Sequence, residues 1–289
     1  MASNLNDKNL DLLINRALAI EDEMALDADA LGFMARAMVQ ATLPHSKVAG
    51  NEFTRKNGNY SLTILSPSSI GLPYGSVPRL LLAWVTTEAV KTKSRELELG
   101  DSLSGFMREL DLVPTGGRWG SISRLKEQTK RLFASSITAI HEQGDGTQII
   151  NQTLADKAVF WWHPSDPNQT TLWKSSISLT ETFYREIVDR PVPIDMRAIK
   201  ALKKSPMALD IYTWLTYRMS YLKKPTAIPW SSLAMQFGSN YSRLTDFRVA
   251  FLGELKKVVT VYGGVQVEVS PTGLLVKPSL THIGKKGGT

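Results

Sequence analysis

Apolar positions recur at helical spacing in the first forty residues. Leu10, Leu13, Ile14 and Leu18 share a stripe, and an Ala-rich stretch carrying Leu31, Met34 and Met38 continues it to Pro44. The pattern predicts one or two helices over residues 1–43. From Glu52 the period shortens. Asn57-Gly58-Asn59 is a hairpin-turn sequence between Phe53 and the alternating Tyr60, Leu62 and Ile64. After a Pro/Gly/Ser-rich loop from Ser66 to Ser76, Pro78 suits the first turn of an apolar helix through Leu80, Leu81, Trp84, Val85 and Val90. A short strand, Arg95 to Leu99, leads into a helix capped by Asp101 or Ser102 that buries Leu103, Phe106, Met107 and Leu110. Beyond Gly116-Gly117-Arg118-Trp119-Gly120, Ser121 caps a further helix to about Ala134. Ile137 to Glu142, a turn at Gly144-Asp145-Gly146 and a returning strand close the set.

The order then repeats. Strand-like Leu172 to Leu179 leads, past Pro191 and Pro193, into a short helix with Met196, Ile199 and Leu202. Pro206 opens a longer helix with Leu209, Ile211, Tyr212, Leu215 and Met219, and Ser231 caps a third, with Leu233 and Phe237, that Gly238 stops. A fourth runs from about Ser242 to Lys257, before a hairpin of Val259 to Tyr262, Gly263-Gly264 and Val265 to Val269. Helix, strand, helix, helix, hairpin is the element order of a winged helix. The predicted fold is therefore α+β, tandem winged-helix domains behind a helical N-terminal arm. The expected divisions are an arm at 1–43, domains at 44–170 and 171–283, and a tail at 284–289, with the boundary in the Pro/Asp/Asn-rich Pro164 to Thr170 stretch.

Charge adds a polyanion to this picture. The chain has 34 Lys and Arg against 27 Asp and Glu, a formal net charge of +7. The arm is acidic, at −4, while residues 44–173 carry +2 and residues 174–289 carry +9. The final two fifths are thus the expected main grip on a polyanion, with the first domain serving auxiliary contacts and subunit pairing. Without cysteine there is no disulfide, thiol nucleophile or Cys-based zinc site. The histidines, His45, His141, His163 and His282, have no metal-ligand spacing, so no metal or other cofactor is expected. The N-terminus is polar, and no apolar run approaches the roughly 18 residues of a membrane span, so a cytoplasmic protein without a membrane partner is expected.

Two helices present candidate chemistry. Following the Gly-rich loop, Ile122, Leu125, Thr129, Leu132 and Phe133 form one face, and Arg124, Glu127, Gln128 and Arg131 the other. Arg can bond guanine bidentately and Gln adenine, and Arg118 and Ser121 stand at the helix entrance. In the second copy Leu244, Phe247, Phe251, Leu255 and Val258 form the expected core stripe. Thr245, Asp246, Val249, Gly253, Lys256 and Lys257 face outward with Arg243 and Arg248 beside them. Small groups at Val249 and Gly253 permit close approach to a groove, and Asp246 either accepts from a cytosine amino group or pairs with an Arg. Ser239, Asn240, Tyr241 and Ser242 are placed for phosphate contacts. The Gly-rich loop is neither GxxxxGK[ST] nor GxGxxG, so a phosphate-contacting loop leading into a helix, or simply a turn, is expected in place of a nucleotide loop. No carboxylate spacing marks acid-base work, and Tyr212, Tyr217 and Tyr221 lack the paired-His metal motif of a rolling-circle nickase. Trp161, Trp162 and Trp173 are expected in the core.

The run Leu72-Pro73-Tyr74-Gly75-Ser76-Val77-Pro78-Arg79-Leu80-Leu81-Leu82 resembles the plasmid-encoded RepA replication initiators, together with Glu88-Ala89, Leu97 to Gly100, Ser102-Leu103, Phe106-Met107 and the Gly116–Gly120 loop. Val192 to Asp195, Lys204 to Tyr212, Trp214-Leu215 and Gln236-Phe237-Gly238 extend the resemblance over roughly residues 50 to 280. It implies a bacterial, non-enzymatic initiator that binds origin repeats (iterons) in double-stranded DNA. It further implies help in opening AT-rich DNA, recruitment of the host initiator and replicative helicase, repression of the initiator's own gene, and a dimer in equilibrium with a monomer. A winged-helix transcriptional repressor, a tyrosine-dependent origin nickase and an interaction module acting through the N-terminal helices are the alternatives.

Overall fold

The computed structural model describes residues 2–161, 174–238 and 241–283, with side chains from residue 9 onward. In chain order the elements begin with α1 (Ala2–Glu21), β1 (Leu31–Met34), α2 (Arg36–Gln40), β2 (Glu52–Asn57), β3 (Tyr60–Leu65) and α3 (Ser76–Thr92). They continue with β4 (Glu96–Glu98), α4 (Leu103–Glu109), α5 (Ser121–Phe133), β5 (Ser136–Gln143), β6 (Gly146–Thr153), β7 (Ala155–Val159), β8 (Ser176–Leu179) and α6 (Glu181–Asp189). The remainder is β9 (Val192–Asp195), α7 (Met196–Leu202), α8 (Pro206–Met219), β10 (Thr226–Pro229), α9 (Trp230–Phe237), α10 (Leu244–Val261), β11 (Val267–Val269) and β12 (Gly273–Val276). The mixture of helix and antiparallel sheet is α+β, as expected. The chain forms two compact units: a central one, Ala35–Pro191, and a terminal one that joins Met1–Met34 to Val192–Thr289.

The central unit carries two sheets. One is antiparallel in the order β2-β3-β5-β6, and its two-residue turns lie at Gly58-Asn59 and Gly144-Asp145. Gly58 and Gly144 have φ of 58° and 57°, the left-handed geometry such tight hairpins require. The other has the order β4-β8-β7, with Leu97 opposite Ile177. Here α3 is apolar nearly all round, and Trp84 meets Phe106 of α4 edge to face at 5.0 Å. Arg79 of α3 is buried, its guanidinium donating to Leu43 O at 2.7 Å and Gly75 O at 2.7 Å. Such a clamp gives the Leu72 to Leu82 run a structural task, tying the segment before β2 to the first turn of α3.

In the terminal unit, β1 pairs with β9 (Leu31 opposite Asp195), and a second sheet has the order β10-β12-β11. Its core is aromatic: Phe237, Phe247 and Phe251 are fully buried, and Trp214 and Trp230 lie edge-on to Phe237 and Phe251. Each unit thus contains helix, strand, helix, helix and a strand pair whose last strand inserts beside the first.

Several sequence expectations change. Leu31 to Met34 is strand, because Val192 to Asp195, far away in the chain, supplies its hydrogen-bonding partner. The expected arm is therefore divided: α1 and β1 are integral to the terminal unit, whereas α2 belongs to the central one. The expected hairpin after β5 joins β2 and β3, and the strand pair of the β4 sheet is β7 with β8. Since β8 lies between β4 and β7, residues up to Pro191 stay with the central unit, past the expected division at 170. Trp161, expected in the core, is 48% exposed just past the end of β7, and Pro164 to Thr170, Trp162, Trp173, His163 and the tail 284–289 lie outside the described residues. Val259 to Val261 extend α10, because Val258 and Val261 continue its buried stripe, and the terminal hairpin is β11 with β12, turning at Ser270-Pro271-Thr272. Helix α6 and strands β7, β9 and β10 had no forecast. Gly120 and Pro229, not Ser121 and Ser231, cap α5 and α9, while Ser102 and Ser205 cap α4 and α8 through side-chain bonds.

The regrouping also redistributes charge. The terminal unit has 16 basic and 12 acidic residues, and the central unit 18 and 15, so the net charges are +4 and +3. The acidic N-terminal segment lies with the basic last third. Arg197 donates to Glu23 O at 2.8 Å and Ala19 O at 3.2 Å while pairing with buried Asp195 at 2.8 Å.

Candidate nucleic-acid interface

In the central unit the chemistry gathers at the entrance and outer face of α5. Thr115 and Ser121 bond reciprocally: Thr115 N donates to Ser121 Oγ and Ser121 N to Thr115 Oγ1, each at 2.9 Å, and Ser121 Oγ donates to Val113 O. Ser123 Oγ closes the loop by donating to Gly117 O at 2.9 Å. Gly117 has φ of 84°, and a Cβ on Gly120 would stand 2.2 Å from Thr115 O, so the turn requires both glycines. This tight loop holds Trp119 82% exposed, with the Arg118 guanidinium 5.2 Å from its ring centroid. Arg124 leans back on Trp119 O at 3.4 Å.

Gln128 and Arg131 differ from expectation. Gln128 is 2% exposed, and its Oε1 accepts from Tyr74 N at 2.8 Å. Arg131 donates to Leu72 O at 3.0 Å, pairs with Glu127 at 2.7 Å and lies over the Tyr74 ring. Residues 72–74 therefore cover one flank of α5, and both side chains act as their clamps. No helical wheel contains that segment. What α5 leaves in water is Ser123, Arg124, Glu127 and Lys130. Ser123, Lys130 and Trp119 escaped the sequence analysis as site residues; the flanking glycines were the available signal for Trp119.

In the terminal unit the comparable helix is α10. Phe247, Phe251, Leu255 and Val258 are buried as expected, whereas Leu244 is 47% exposed at the helix start. Thr245, Val249, Gly253 and Lys256 form the outer face. Arg243 is held by Asp246 through two bonds of 2.9 Å, Nε to Oδ2 and Nη2 to Oδ1. Arg248 lies over Trp230 at 5.1 Å and reaches Ser270 O, at the β11–β12 turn, at 3.5 Å. It thus connects helix and turn. Lys257, one turn beyond Gly253, pairs with Glu254 at 2.8 Å and lines a groove beside α1. Tyr241 and Ser242 are exposed at the helix entrance. Burial, with the nearby negative charge of Glu254, pushes the Tyr241 hydroxyl pKa up. Ser239 and Asn240 lie outside the described residues.

Each face combines exposed cations, hydroxyl donors and small or aromatic groups, suited to phosphates and groove edges. The tyrosines do not form a comparable site. Tyr212 is fully buried, accepting from Asp195 N at 2.9 Å and sharing a 2.7 Å bond with His282 Nδ1. Tyr217 and Tyr221 meet edge to face, with ring centroids 5.1 Å apart. Among the described residues no group of three or more His, Asp or Glu is arranged to hold a metal ion, and no helix is long and apolar enough to cross a membrane.

Known proteins place this arrangement in context. The chain is similar in fold to a solved structure titled "Crystal structure of SeMet derivatives of domain2 and domain 3 of RctB", at a TM-score of 0.55 and 10% identity, over 83% of this chain and 97% of that one. No curated protein matches it. Residues 72–231 match the family described as Plasmid encoded RepA protein. The match begins at Leu72, takes in α3, α5 and α8, and stops before α10. Because it covers more than half of the chain and most of the motifs of the resemblance, the protein belongs to the plasmid-encoded RepA family of plasmid replication initiators.

Proposed function

We propose that this protein initiates plasmid replication, without enzymatic activity of its own, by binding repeated double-stranded DNA at the origin through two winged helices. The observation that carries this reading is the twofold occurrence of one arrangement. In each unit, the third helix of the set buries an apolar stripe and leaves cations and small polar groups in water. That is the disposition of a helix laid in a major groove. In the central unit Arg118, Trp119, Ser123, Arg124 and Lys130 make the contacts. In the terminal unit Thr245, Arg248, Val249, Gly253 and Lys256 do so, with Tyr241, Ser242 and Arg243 at the phosphates. Origin opening, recruitment of the host initiator and helicase, autorepression and a monomer–dimer equilibrium complete the proposal, with membership of the family as their support.

Footprinting and mobility-shift titration on DNA flanking its gene test the reading. The expected result is salt-sensitive protection at regular repeats, with Arg124→Ala weakening binding by about 1–3 kcal/mol at unchanged melting temperature. No preference over random duplex refutes it. A plasmid bearing that origin that still replicates after deletion of the gene leaves a repressor instead.

A further inference from the structure

A cavity of about 390 Å³ opens in the terminal unit where α1 meets the end of α7 and the start of α8. Its walls are apolar. Leu10 and Leu12 of α1 are 52% and 49% exposed, and Leu13, Leu202 and Ala208 lie beneath them. The rim is cationic: Arg16, Lys200, Lys203, Lys204 and Lys257 come from three helices and the α7–α8 turn. None of the described residues lining the groove is acidic. Two of the cations are anchored, Arg16 donating to Lys200 O at 3.0 Å and Lys204 Nζ to Asn9 Oδ1 at 2.9 Å. Their charges are therefore held in place around the opening before any ligand arrives.

We infer that this groove docks an acidic segment of a second protein, anchored by apolar side chains between Leu12 and Leu202 with carboxylates facing Lys200, Lys203 and Lys204. Charge complementarity sets the sign of the ligand, and the leucines set its class. A phosphate backbone uses cations and leaves exposed leucines in water, whereas an amphipathic acidic helix or strand covers them while meeting the rim. Of α10 the groove is lined by Lys257, one turn beyond Gly253, while Val249 and Gly253 themselves are not among its lining residues.

The test uses the full chain and a fluorescein-labelled amphipathic peptide of about 15 residues, with Glu and Asp on one face and Leu and Phe on the other. Saturable anisotropy is expected with wild type. A scrambled peptide, Lys200→Glu/Lys204→Glu and Leu12→Ser should each weaken it about tenfold or more. Lys200→Gln/Lys204→Gln replaces the charge reversal should that variant fail to fold, with folding checked by circular dichroism. Absence of saturation with wild type overturns the inference, as does equal binding by the variants or the scrambled peptide. Duplex affinity measured on the same variants should stay within about twofold. A loss parallel to that of the peptide makes the groove a nucleic-acid surface and overturns the inference. If wild type binds no origin duplex, the initiator reading fails while the peptide titration still decides this one.

Discussion

Gly253 sits in the middle of α10, on its exposed face, with a helical backbone. A Cβ placed there meets nothing within 4 Å, so no part of the chain requires the residue to be glycine. In an exposed helix interior, glycine costs about 0.8–1.0 kcal/mol relative to alanine. Gly253→Ala is therefore expected to stabilise the terminal unit by about 1 kcal/mol, raising its melting temperature by roughly 2–6 °C in calorimetry. The same methyl should work against DNA. It stands between Val249 and Lys256 on the proposed groove-facing surface, and an extra methyl in a packed contact costs about 1–3 kcal/mol. A mobility-shift titration should then show roughly fivefold to 150-fold weaker binding by the more stable protein. A raised melting temperature with unchanged affinity would refute close approach of α10 to DNA at Gly253. An unchanged melting temperature would refute the backbone argument itself.

Gln128→Leu should destabilise the central unit by about 1–3 kcal/mol in urea unfolding, since Tyr74 N loses its buried acceptor; a pure base reader would leave stability untouched. Asp246→Asn loosens the ionic hold on Arg243 and removes a carboxylate from the entrance of α10. Duplex affinity should rise, with log affinity against log salt steeper by about 0.9, one added phosphate contact; an unchanged slope refutes this. His282 lies between Tyr212 and Tyr262, and burial holds its imidazole below the usual 6.5, with Arg197 adding to the effect and Asp195 opposing it. The unfolded chain then binds more protons as pH falls below about 6.5, so the stability His282 confers is whole above that value and drains below it. Melting temperatures between about pH 7.5 and about pH 5 should fall more steeply for wild type than for His282→Gln, and parallel curves would overturn the assignment.

Elements whose signals are local were legible in the chain. The hairpin at Gly58-Asn59 rests on residues that accept left-handed geometry, α8 on Pro206 in its first turn, and α4 on Ser102. In the central unit the order of helix, strand, helix and helix likewise came from periodicity and punctuation; in the terminal unit the helices were legible and the strand β10 between them was not, and the motifs led to the family. At the candidate interface the legible part was the buried stripe of α10 from Phe247 to Val258, together with the cations beside it. A polarity pattern says which residues can tolerate water, not which ones meet it. Gln128 and Arg131 have the composition of a reading face and became internal clamps, because residues 72–74 approach α5 from outside its own periodicity.

What the chain could not display is who pairs with whom at a distance. Leu31 to Met34 is a strand only because Val192 to Asp195 offers it donors and acceptors, and an isolated four-residue segment has no reason to extend. Placing β8 between β4 and β7 moved the division of the chain from 170 to 191, and packing α1 on α7 and α10 put the acidic segment among the basic residues of the last third. Local propensity and charge are additive properties of neighbours in sequence. Strand pairing, the covering of a helix flank and the net field of a unit depend on contacts between distant segments, which folding alone brings together.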